Sequence, residues 1–238
     1  MRKSIIQLLR LALFTASASL TCWAQSQNKE TVLVLVHANL IDGISTAVLS
    51  DATIVVRGDR IESVGRNVVA PPTGAQVVDL KGRWLLPGFV DAHAHLNDLA
   101  AARRALQYGS TTVRVLGVEH FVDVGMRELH KAGWTDIPAV VAAGYQIRPD
   151  LGTVEPGFLL DFPDLNRFQS GLRGSDDLRI VVRVLTEHHV DLIKILATER
   201  AGTPETDPRK RTFTDEEISA IVDEGPKGWP EGGRPRSW

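Results

Sequence analysis

Short apolar segments of strand type alternate with amphipathic segments of helix type along residues 89–224. Strands are predicted over residues 89–95, 111–116, 138–144 and 191–197, and helices over residues 98–107, 121–131, 175–188 and 215–224. Alternation at this spacing favours a parallel sheet covered by helices. The sequence therefore predicts an α/β fold with four strand–helix units, and the segment between the third strand and the third helix is predicted to be a long loop.

Residues 30–86 have a different pattern. A β-branched run over residues 31–36 predicts a strand, and residues 37–43 follow it and end in a turn signal at Asp42-Gly43. The Gly58-Asp59 pair between two further apolar segments predicts a hairpin. Short strands are expected over residues 75–80 and 83–86, so this segment is predicted to form a small antiparallel β unit.

Residues 1–24 are typical of a secretory signal peptide. A basic start is followed by an apolar run to residue 21, and Cys22-Trp23-Ala24 resembles a cleavage site. The run is shorter than the roughly 20 apolar residues that a membrane anchor needs, and a lipid anchor on Cys22 is a further alternative. We expect export to the periplasm or the extracellular space, with no membrane span after cleavage.

Charge and cysteine content exclude several classes of protein. The formal net charge of −2 gives no indication of nucleic-acid binding. The single cysteine excludes a disulfide framework and a cysteine-rich zinc site.

Two histidines stand one residue apart on the first predicted strand of the α/β segment. Strand side chains alternate between faces, so His93 and His95 are expected to point the same way. Two imidazoles at the C-terminal end of a parallel strand can share a metal ion. A His-x-His pair alone is equally compatible with two packed or exposed histidines.

The residues around this pair resemble the amidohydrolase superfamily. Residues 87–95 read Pro-Gly-Phe-Val-Asp-Ala-His-Ala-His, like the first barrel strand of that superfamily, and residues 109–114 read Gly-Ser-Thr-Thr-Val-Arg, like its second strand. Residues 190–195, Val-Asp-Leu-Ile-Lys-Ile, resemble the fourth strand of its prolidase-like and imidazolonepropionase-like branch. The resemblance covers nearly all of residues 31–224. It implies the first half of a (β/α)8 TIM-like barrel at residues 87–224, preceded by a small β-sandwich segment at residues 30–86.

The resemblance also implies a metal site. His93 and His95 would be ligands of a first divalent ion, and Lys194, carboxylated on its amino group, would bridge to a second. Zinc is the expected metal. The alternative for Lys194 is an ammonium group that is solvated or paired while its stem packs in the barrel.

Three other residues are candidates to support the site or to contact substrate. Asp91 is expected to orient a ligand histidine. Arg114 could line the site or pair with a neighbouring carboxylate. Tyr145 follows the third strand, where a substrate contact is expected. The family chemistry is metal-assisted hydrolysis of C–N bonds in small dipeptides, N-acyl amino acids or cyclic amides.

The family also requires histidines from the fifth and sixth strands and an aspartate from the eighth. Residues 225–238 are rich in Gly and Pro and interrupt the last helix. We expect a frameshift after Glu224, and an evolved short form is the alternative. No catalytic residue is therefore assigned, and we expect weak metal binding and no appreciable hydrolysis from 238 residues alone. The alternatives are a non-catalytic metal-binding fragment and a half-barrel that self-associates.

Overall fold

The computed structural model describes residues 31–66 and 71–225. The predicted signal peptide and residues 226–238 of the predicted tail lie outside the described residues. The chain divides into two compact units, with the boundary in the sequence between Pro87 and Gly88.

The first unit contains one mixed sheet of five strands among its described residues. The strands are β1 (Val32–Leu40), β2 (Leu49–Arg57), β3 (Arg60–Gly65), β4 (Gln76–Asp79) and β5 (Trp84–Leu85). The order is β3-β2-β1-β4, and β5 also pairs with β1. The predicted hairpin is confirmed as β2 and β3. The prediction of an antiparallel unit is wrong in part, because β4 and β5 both run parallel to β1.

Strand β1 continues past residue 36 through a β-bulge at His37, and the turn indicated at Asp42-Gly43 follows it, where Oδ1 of Asp42 accepts hydrogen bonds from the backbone N–H groups of Ile44 and Ser45. The register of β1 against β2 shifts between Leu35 and Ala38, and His37 has a left-handed φ of 54°. Its Nδ1 lies 2.9 Å from Oδ1 of Asp79 on the edge of the sheet. The bulge accommodates the left-handed backbone at His37. The strand then continues to Leu40, beyond the predicted end at residue 36.

The second unit contains a parallel sheet flanked by helices, as predicted. Its strands are β6 (Phe89–Ala94), β7 (Ser110–Val115) and β8 (Ala139–Ala142), in the order β6-β7-β8. The helices are α1 (Leu99–Gln107), α2 (Val122–Lys131), α3 (Leu151–Val154), α4 (Pro156–Asp161), α5 (Gly174–Glu187) and α6 (Asp215–Glu224). Helix α6 begins with a capping box, in which the side chains of Thr214 and Glu217 each accept a hydrogen bond from the other residue's backbone N–H.

One face of the parallel sheet packs against α1 and α2. Val113 and Val140 are buried in a core with Ala102 of α1 and Met126 of α2. Because side chains alternate along each strand, the neighbouring residues face the opposite side of the sheet. That opposite face is the one that lines the inside of a barrel in (β/α)8 folds.

The segment between β8 and α5 is not the long loop that the sequence predicts. It contains α3, α4 and a 3-10 segment at Pro163–Ser170. Leu151, Phe158 and Phe168 on these short elements are completely or almost completely buried. Burial of these apolar side chains against α5 stabilises helical turns that are too short to form alone.

Helix α5 begins slightly earlier than predicted. Arg173 is its N-cap residue, and Oδ2 of Asp177 accepts a hydrogen bond from the Arg173 backbone N–H at 2.8 Å. The helix therefore begins at Gly174, one residue before the predicted start at residue 175, because an acidic side chain inside the first turn accepts the hydrogen bond of the Arg173 backbone N–H.

The predicted fourth strand is largely irregular. Among the described residues, its strand pairing is limited to one parallel bridge, between Ile147 and Ile195. The backbone N–H of Ile147 donates to the Lys194 carbonyl, and the Leu196 N–H donates to the Ile147 carbonyl. These two hydrogen bonds hold the segment beside the chain that follows β8. No helix in the described part of the chain is long and apolar enough to cross a membrane.

Candidate metal centre

The start of β6 lies unusually close to β7. A Cβ atom at Gly88 would lie 2.2 Å from Cγ2 of Thr111 and 2.3 Å from its Oγ1. Glycine is therefore the residue that permits this approach. The Pro-Gly pair before the histidine motif sets the spacing of the two strands that follow.

His93 lies near the C-terminal end of β6, and His95 directly follows the last residue of this strand, Ala94. Ala94 and Leu96 pack into the core shared with α1 and α2, so the two histidines are on the opposite face of the sheet. Their ring centroids are 5.5 Å apart and the rings are tilted by 51°. Both side chains are exposed. The shared face expected from the sequence is therefore present in the structure.

One nitrogen of His95 is already occupied. Its Nδ1 lies 2.7 Å from the backbone carbonyl oxygen of Gly117, in the loop after β7. With a proton on Nδ1, the ring donates this hydrogen bond and leaves Nε2 as the free lone pair. A backbone carbonyl in this position is a common way to orient a histidine that binds metal.

Asp91 and Arg114 both make hydrogen bonds with the backbone of β6. Oδ1 of Asp91 accepts a hydrogen bond from the backbone N–H of His93 at 3.0 Å, so its contact is with the backbone and not the imidazole. Nε of Arg114 on β7 donates to the Ala92 carbonyl at 2.7 Å. Arg114 thus binds a carbonyl group of β6 and not the carboxylate that was one of its two expected partners. Its other expected role, lining the site, stays a prediction.

Lys194 lies within residues 191–197, the segment predicted to be the fourth strand. Ile193 and Ile195 pack against the core around α5, which places Lys194 on the opposite face. Its backbone carbonyl accepts from the Ile147 N–H at 2.7 Å. Lys194 is half-buried, and its ammonium group makes no hydrogen bond or ion pair with the residues that the structure describes.

A partly buried ion pair fixes the segment that carries Lys194. Oδ1 of Asp191 lies 2.8 Å from a guanidinium nitrogen of Arg127, whose side chain is 9% exposed. Oδ2 of Asp191 accepts from the Ala142 N–H at 2.8 Å, and the Asp191 N–H donates to the Ala142 carbonyl at 2.7 Å. The lysine is thus positioned against the end of β8 even though its own segment is not a regular strand.

The structure brings two of the predicted ligands together. His93 and His95 are adjacent, whereas no contact joins Lys194 to either histidine within residues 31–66 and 71–225. In the same ranges, no group of three or more His, Cys, Asp or Glu residues is placed to hold a metal ion. The free Nε2 of His95 and the exposed ring of His93 fit a metal ion as part of a ligand set. The two imidazoles alone do not complete one.

Tyr145 is completely buried and belongs to a polar cluster behind the sheet end. Its hydroxyl donates to Oδ2 of Asp161 at 2.7 Å and accepts from the His120 backbone N–H at 2.9 Å. His120 Nδ1 lies 2.9 Å from Oδ1 of the same Asp161. Burial, and then the hydrogen bond to Asp161, raise the pKa of Tyr145, so it stays protonated. The hydroxyl of Tyr145 thus has two protein partners. The substrate contact that the sequence predicts for Tyr145 stays a prediction.

Two further polar groups were not identified from the sequence. Glu155 is buried and accepts from Nε2 of Gln146 at 2.7 Å, and burial raises the pKa of its carboxyl group. Asp123 on α2 is completely buried and accepts from the N–H groups of Ala143 and Gly144 at 2.9 and 2.8 Å. Burial also raises the pKa of Asp123. Nothing in the sequence next to Asp123 or Glu155 indicates that these side chains are buried.

Comparison with known proteins agrees with this geometry. Residues 84–225 match the family model of the amidohydrolase family. An imidazolonepropionase from Streptomyces griseus is 42% identical over 64 residues, which are 27% of this chain and 16% of that protein.

Solved structures extend the similarity to most of the chain. A Xaa-Pro dipeptidase with methionine bound in its active site superposes with a TM-score of 0.62 at 25% identity, over 82% of this chain and 54% of that one. A candidate prolidase from Bifidobacterium longum superposes with a TM-score of 0.65 at 27% identity, over 82% of this chain and 46% of that one. The chain thus spans about half the length of the solved structures that it matches.

These results confirm the predicted resemblance and the partial barrel of the α/β fold. The family model covers more than half of the sequence and includes His93, His95 and Lys194. The chain therefore belongs to the amidohydrolase family.

Proposed function

We propose that the whole protein hydrolyses carbon–nitrogen bonds in small amides, dipeptides or N-acyl amino acids, and that it requires a divalent metal ion. The observation that carries the proposal is the pair of exposed imidazoles at the C-terminal end of β6, with centroids 5.5 Å apart. Active sites of barrels form at this end of the strands. A divalent ion bound there would polarise the amide carbonyl and acidify a water molecule.

The residues of this chain would position that ion and the segment around it. His95 is oriented through Gly117, and His93 is fixed through the hydrogen bond of its backbone to Asp91. We propose that Lys194 becomes a metal ligand when its deprotonated amino group forms an N–C bond to carbon dioxide and releases a proton to water, because the resulting carbamate is an anion whose two oxygens can bind metal. Zinc is the metal proposed, since it accepts both imidazole and oxygen ligands.

The substrate class follows from the relatives. One relative is an imidazolonepropionase and another is a Xaa-Pro dipeptidase that binds methionine. Both names support a small substrate with a C–N bond. They do not select among amide, dipeptide and cyclic amide for this protein.

Metal titration of the purified chain tests the proposal. Calorimetric titration with Zn²⁺ should give weak binding that His93→Asn reduces by about tenfold or more, because even loss of an orienting residue reduces metal affinity by about 10- to 100-fold. His189→Asn is the matched control, since His189 is exposed, has a left-handed φ of 59° and carries no assigned ligand role. Equal loss of affinity in both variants would contradict the assignment of His93.

Activity and the lysine are tested separately. With bicarbonate present, the native chain should bind more Zn²⁺ than Lys194→Arg does, because arginine forms no stable carbamate. Hydrolysis of a dipeptide that depends on Zn²⁺ and is lost in His93→Asn would support the reaction class. Metal-independent hydrolysis would contradict it.

A second candidate is a non-catalytic, metal-binding half-barrel that self-associates. It is favoured by the edge of the parallel sheet, where β6 pairs with β7 and with no other described strand. Phe89 and Val90 on β6 are 56% and 67% exposed. Unpaired strand edges with apolar side chains favour association. A dimer mass by light scattering, with bound Zn²⁺, would favour this candidate, and turnover by that dimer would contradict it.

We also propose export, on the basis of residues 1–24. The proposal predicts that the mature protein in a periplasmic or culture fraction begins after Ala24. N-terminal sequencing of the exported protein tests this, and an intact Met1 in a cytoplasmic fraction would contradict it.

A further inference from the structure

The peptide group that joins Gly117 to Val118 contacts the metal-binding pair on one side and the chain after β8 on the other. Its carbonyl oxygen lies 2.7 Å from Nδ1 of His95, and its N–H donates to the Gly144 carbonyl at 2.9 Å. Gly117 has a φ of 130°, which glycine adopts readily and other residues avoid. Because glycine has no side chain to restrict its backbone, this carbonyl keeps its direction only if neighbouring groups pack against Gly117.

The side chain of Gln146 packs against Gly117. A Cβ atom at Gly117 would lie 3.4 Å from both Cδ and Oε1 of Gln146 and 3.5 Å from its Cβ. These are the three atoms nearest to that point, apart from Gly117 itself and its neighbours in the chain. The Gln146 side chain thus fills the space beside the α-carbon of Gly117 and limits rotation of the backbone there.

Glu155 holds the amide group of Gln146 in this place. Nε2 of Gln146 donates to Oε1 of Glu155 at 2.7 Å. Glu155 is 8% exposed, and within the part of the chain that the structure describes its carboxylate has no other hydrogen-bond or ion-pair partner. Burying a carboxyl group costs free energy, so stability alone would favour an apolar residue at this position. The presence of Glu155 beside Gln146 therefore favours a role in positioning.

We propose that Gln146 and Glu155 are positioning residues for the metal centre. Glu155 fixes the amide of Gln146, this amide packs against Gly117, and the Gly117 carbonyl keeps the proton of His95 on Nδ1. The proposal rests on the proposed metal-dependent function, because Nε2 of His95 is the atom that this arrangement leaves free for a metal ion. Among the described residues, no hydrogen bond joins Gln146 or Glu155 to His95, so both act through Gly117.

Nitrogen-15 NMR of the metal-free chain measures the tautomer of His95. With a chelator present at about pH 8, where a free imidazole is neutral, His95 should be mainly in the Nδ1–H form, and His95→Asn identifies its signals. Gln146→Ala should lower the ratio of the Nδ1–H form to the Nε2–H form by about two- to tenfold, the factor expected when a hydrogen bond of ordinary strength is lost. Glu155→Leu should lower the ratio too, because Nε2 of Gln146 loses its acceptor. Glu155→Gln keeps an acceptor oxygen and should retain the native ratio.

Two control variants separate positioning from general stability. Gln107→Ala makes the same substitution at an exposed residue of α1 and should leave the ratio unchanged. Val181→Ala truncates a completely buried side chain on α5, so it should lower the urea midpoint and leave the ratio unchanged. If Gln146→Ala does not fold, Gln146→Met replaces it, because methionine keeps the length of the side chain and cannot donate to Glu155. An unchanged ratio in the Gln146 variant or in Glu155→Leu, or an equal change in Val181→Ala, would overturn the proposal.

Metal affinity gives a second measurement. Calorimetric titration with Zn²⁺ should show an affinity about three- to tenfold lower in Gln146→Ala than in the native chain, a smaller loss than the 10- to 100-fold typical for the direct partner of a ligand. A native affinity in a variant with a changed tautomer would overturn the role in metal binding.

The result is separable from that of the proposed function. A changed His95 tautomer in Gln146→Ala, in a chain that binds no Zn²⁺ at all, would support the contacts through Gly117 and contradict the metal-dependent function. Zn²⁺ binding that is lost in His93→Asn, with a native tautomer in Gln146→Ala, would give the reverse result.

Discussion

The hydroxyl group of Tyr145 donates to Oδ2 of Asp161 at 2.7 Å, while His120 Nδ1 lies 2.9 Å from the other oxygen of the same carboxylate. One carboxylate on α4 therefore ties together the end of the third strand and the loop after the second. Two residues of that loop, His120 and Phe121, have left-handed φ angles of 58° and 50°. The hydrogen bonds to Tyr145 and Asp161 offset the cost of this backbone conformation.

Replacing Tyr145 with phenylalanine should destabilise the second unit. The change removes a buried donor to Asp161 and an acceptor for the His120 N–H without creating a cavity. A loss of about 2 kcal/mol in the free energy of unfolding is expected, because hydrogen bonds to charged groups contribute about 1.5–3 kcal/mol. Urea denaturation measures it. Tyr108→Phe is the control, since Tyr108 is 83% exposed, and a comparable loss there would contradict the role of Tyr145.

The His120–Asp161 pair predicts a pH-dependent contribution to stability. The hydrogen bond and charge of Asp161, with a smaller effect of Glu119, raise the pKa of His120 above its ordinary value of about 6.5. A raised folded-state pKa contributes stability that is complete below about pH 6.5 and is lost as the pH rises through the raised value. Nearby Tyr145 stays neutral throughout, since its own pKa is raised.

His120→Asn isolates this effect, because asparagine tolerates a left-handed φ and carries no charge. Urea midpoints of the native chain and the variant should be measured in the same buffers across neutral pH. The difference in favour of the native chain should decrease as the pH rises above about 6.5. A difference that is constant with pH would contradict a charged pair at His120.

Asp123→Ala should be among the more damaging changes in the chain. The buried Asp123 carboxylate accepts from the backbone N–H groups of Ala143 and Gly144, which follow β8. Without it, two buried donors lose their acceptor, and about 1–3 kcal/mol is expected for each. Asp123→Asn keeps one acceptor oxygen and should cost about 1 kcal/mol. Hydrogen exchange at residues 143 and 144 should accelerate in Asp123→Ala, and unchanged protection there would contradict the role.

Much of the architecture can be predicted from local patterns in the sequence. The hairpin at Gly58-Asp59, the strand that carries His93 and His95, and the Thr214 cap each depend on residues close together in the chain. The shared face of the two histidines follows from strand periodicity alone. Such features can be predicted because their cause is local.

The remaining features depend on contacts between distant residues. The bulge at His37 is stabilised by Asp79, which is 42 positions away in the sequence. The helices α3 and α4 form because Leu151 and Phe158 are buried against α5, which no local propensity indicates. Asp161 pairs with His120 across 41 positions. Long-range pairing of this kind leaves no periodic signal in the sequence. The sequence therefore predicts a loop where the structure has α3 and α4.

Gly88→Ala should displace the strand that carries the metal-binding histidines. The new Cβ atom would lie 2.2 Å from Cγ2 and 2.8 Å from Cβ of Thr111, and the Thr111 Cβ cannot rotate away. A destabilisation of about 1–3 kcal/mol is expected, as for other overpacked sites. Gly125→Ala is the matched control, because no atom lies within 4 Å of its added Cβ on α2 and alanine should stabilise a helix interior by about 0.5–1 kcal/mol. Thr111→Ala should partly rescue Gly88→Ala by removing the two closest atoms. Equal urea midpoints for Gly88→Ala and the native chain would contradict the close approach of β6 and β7, and with it the spacing that positions His93 and His95.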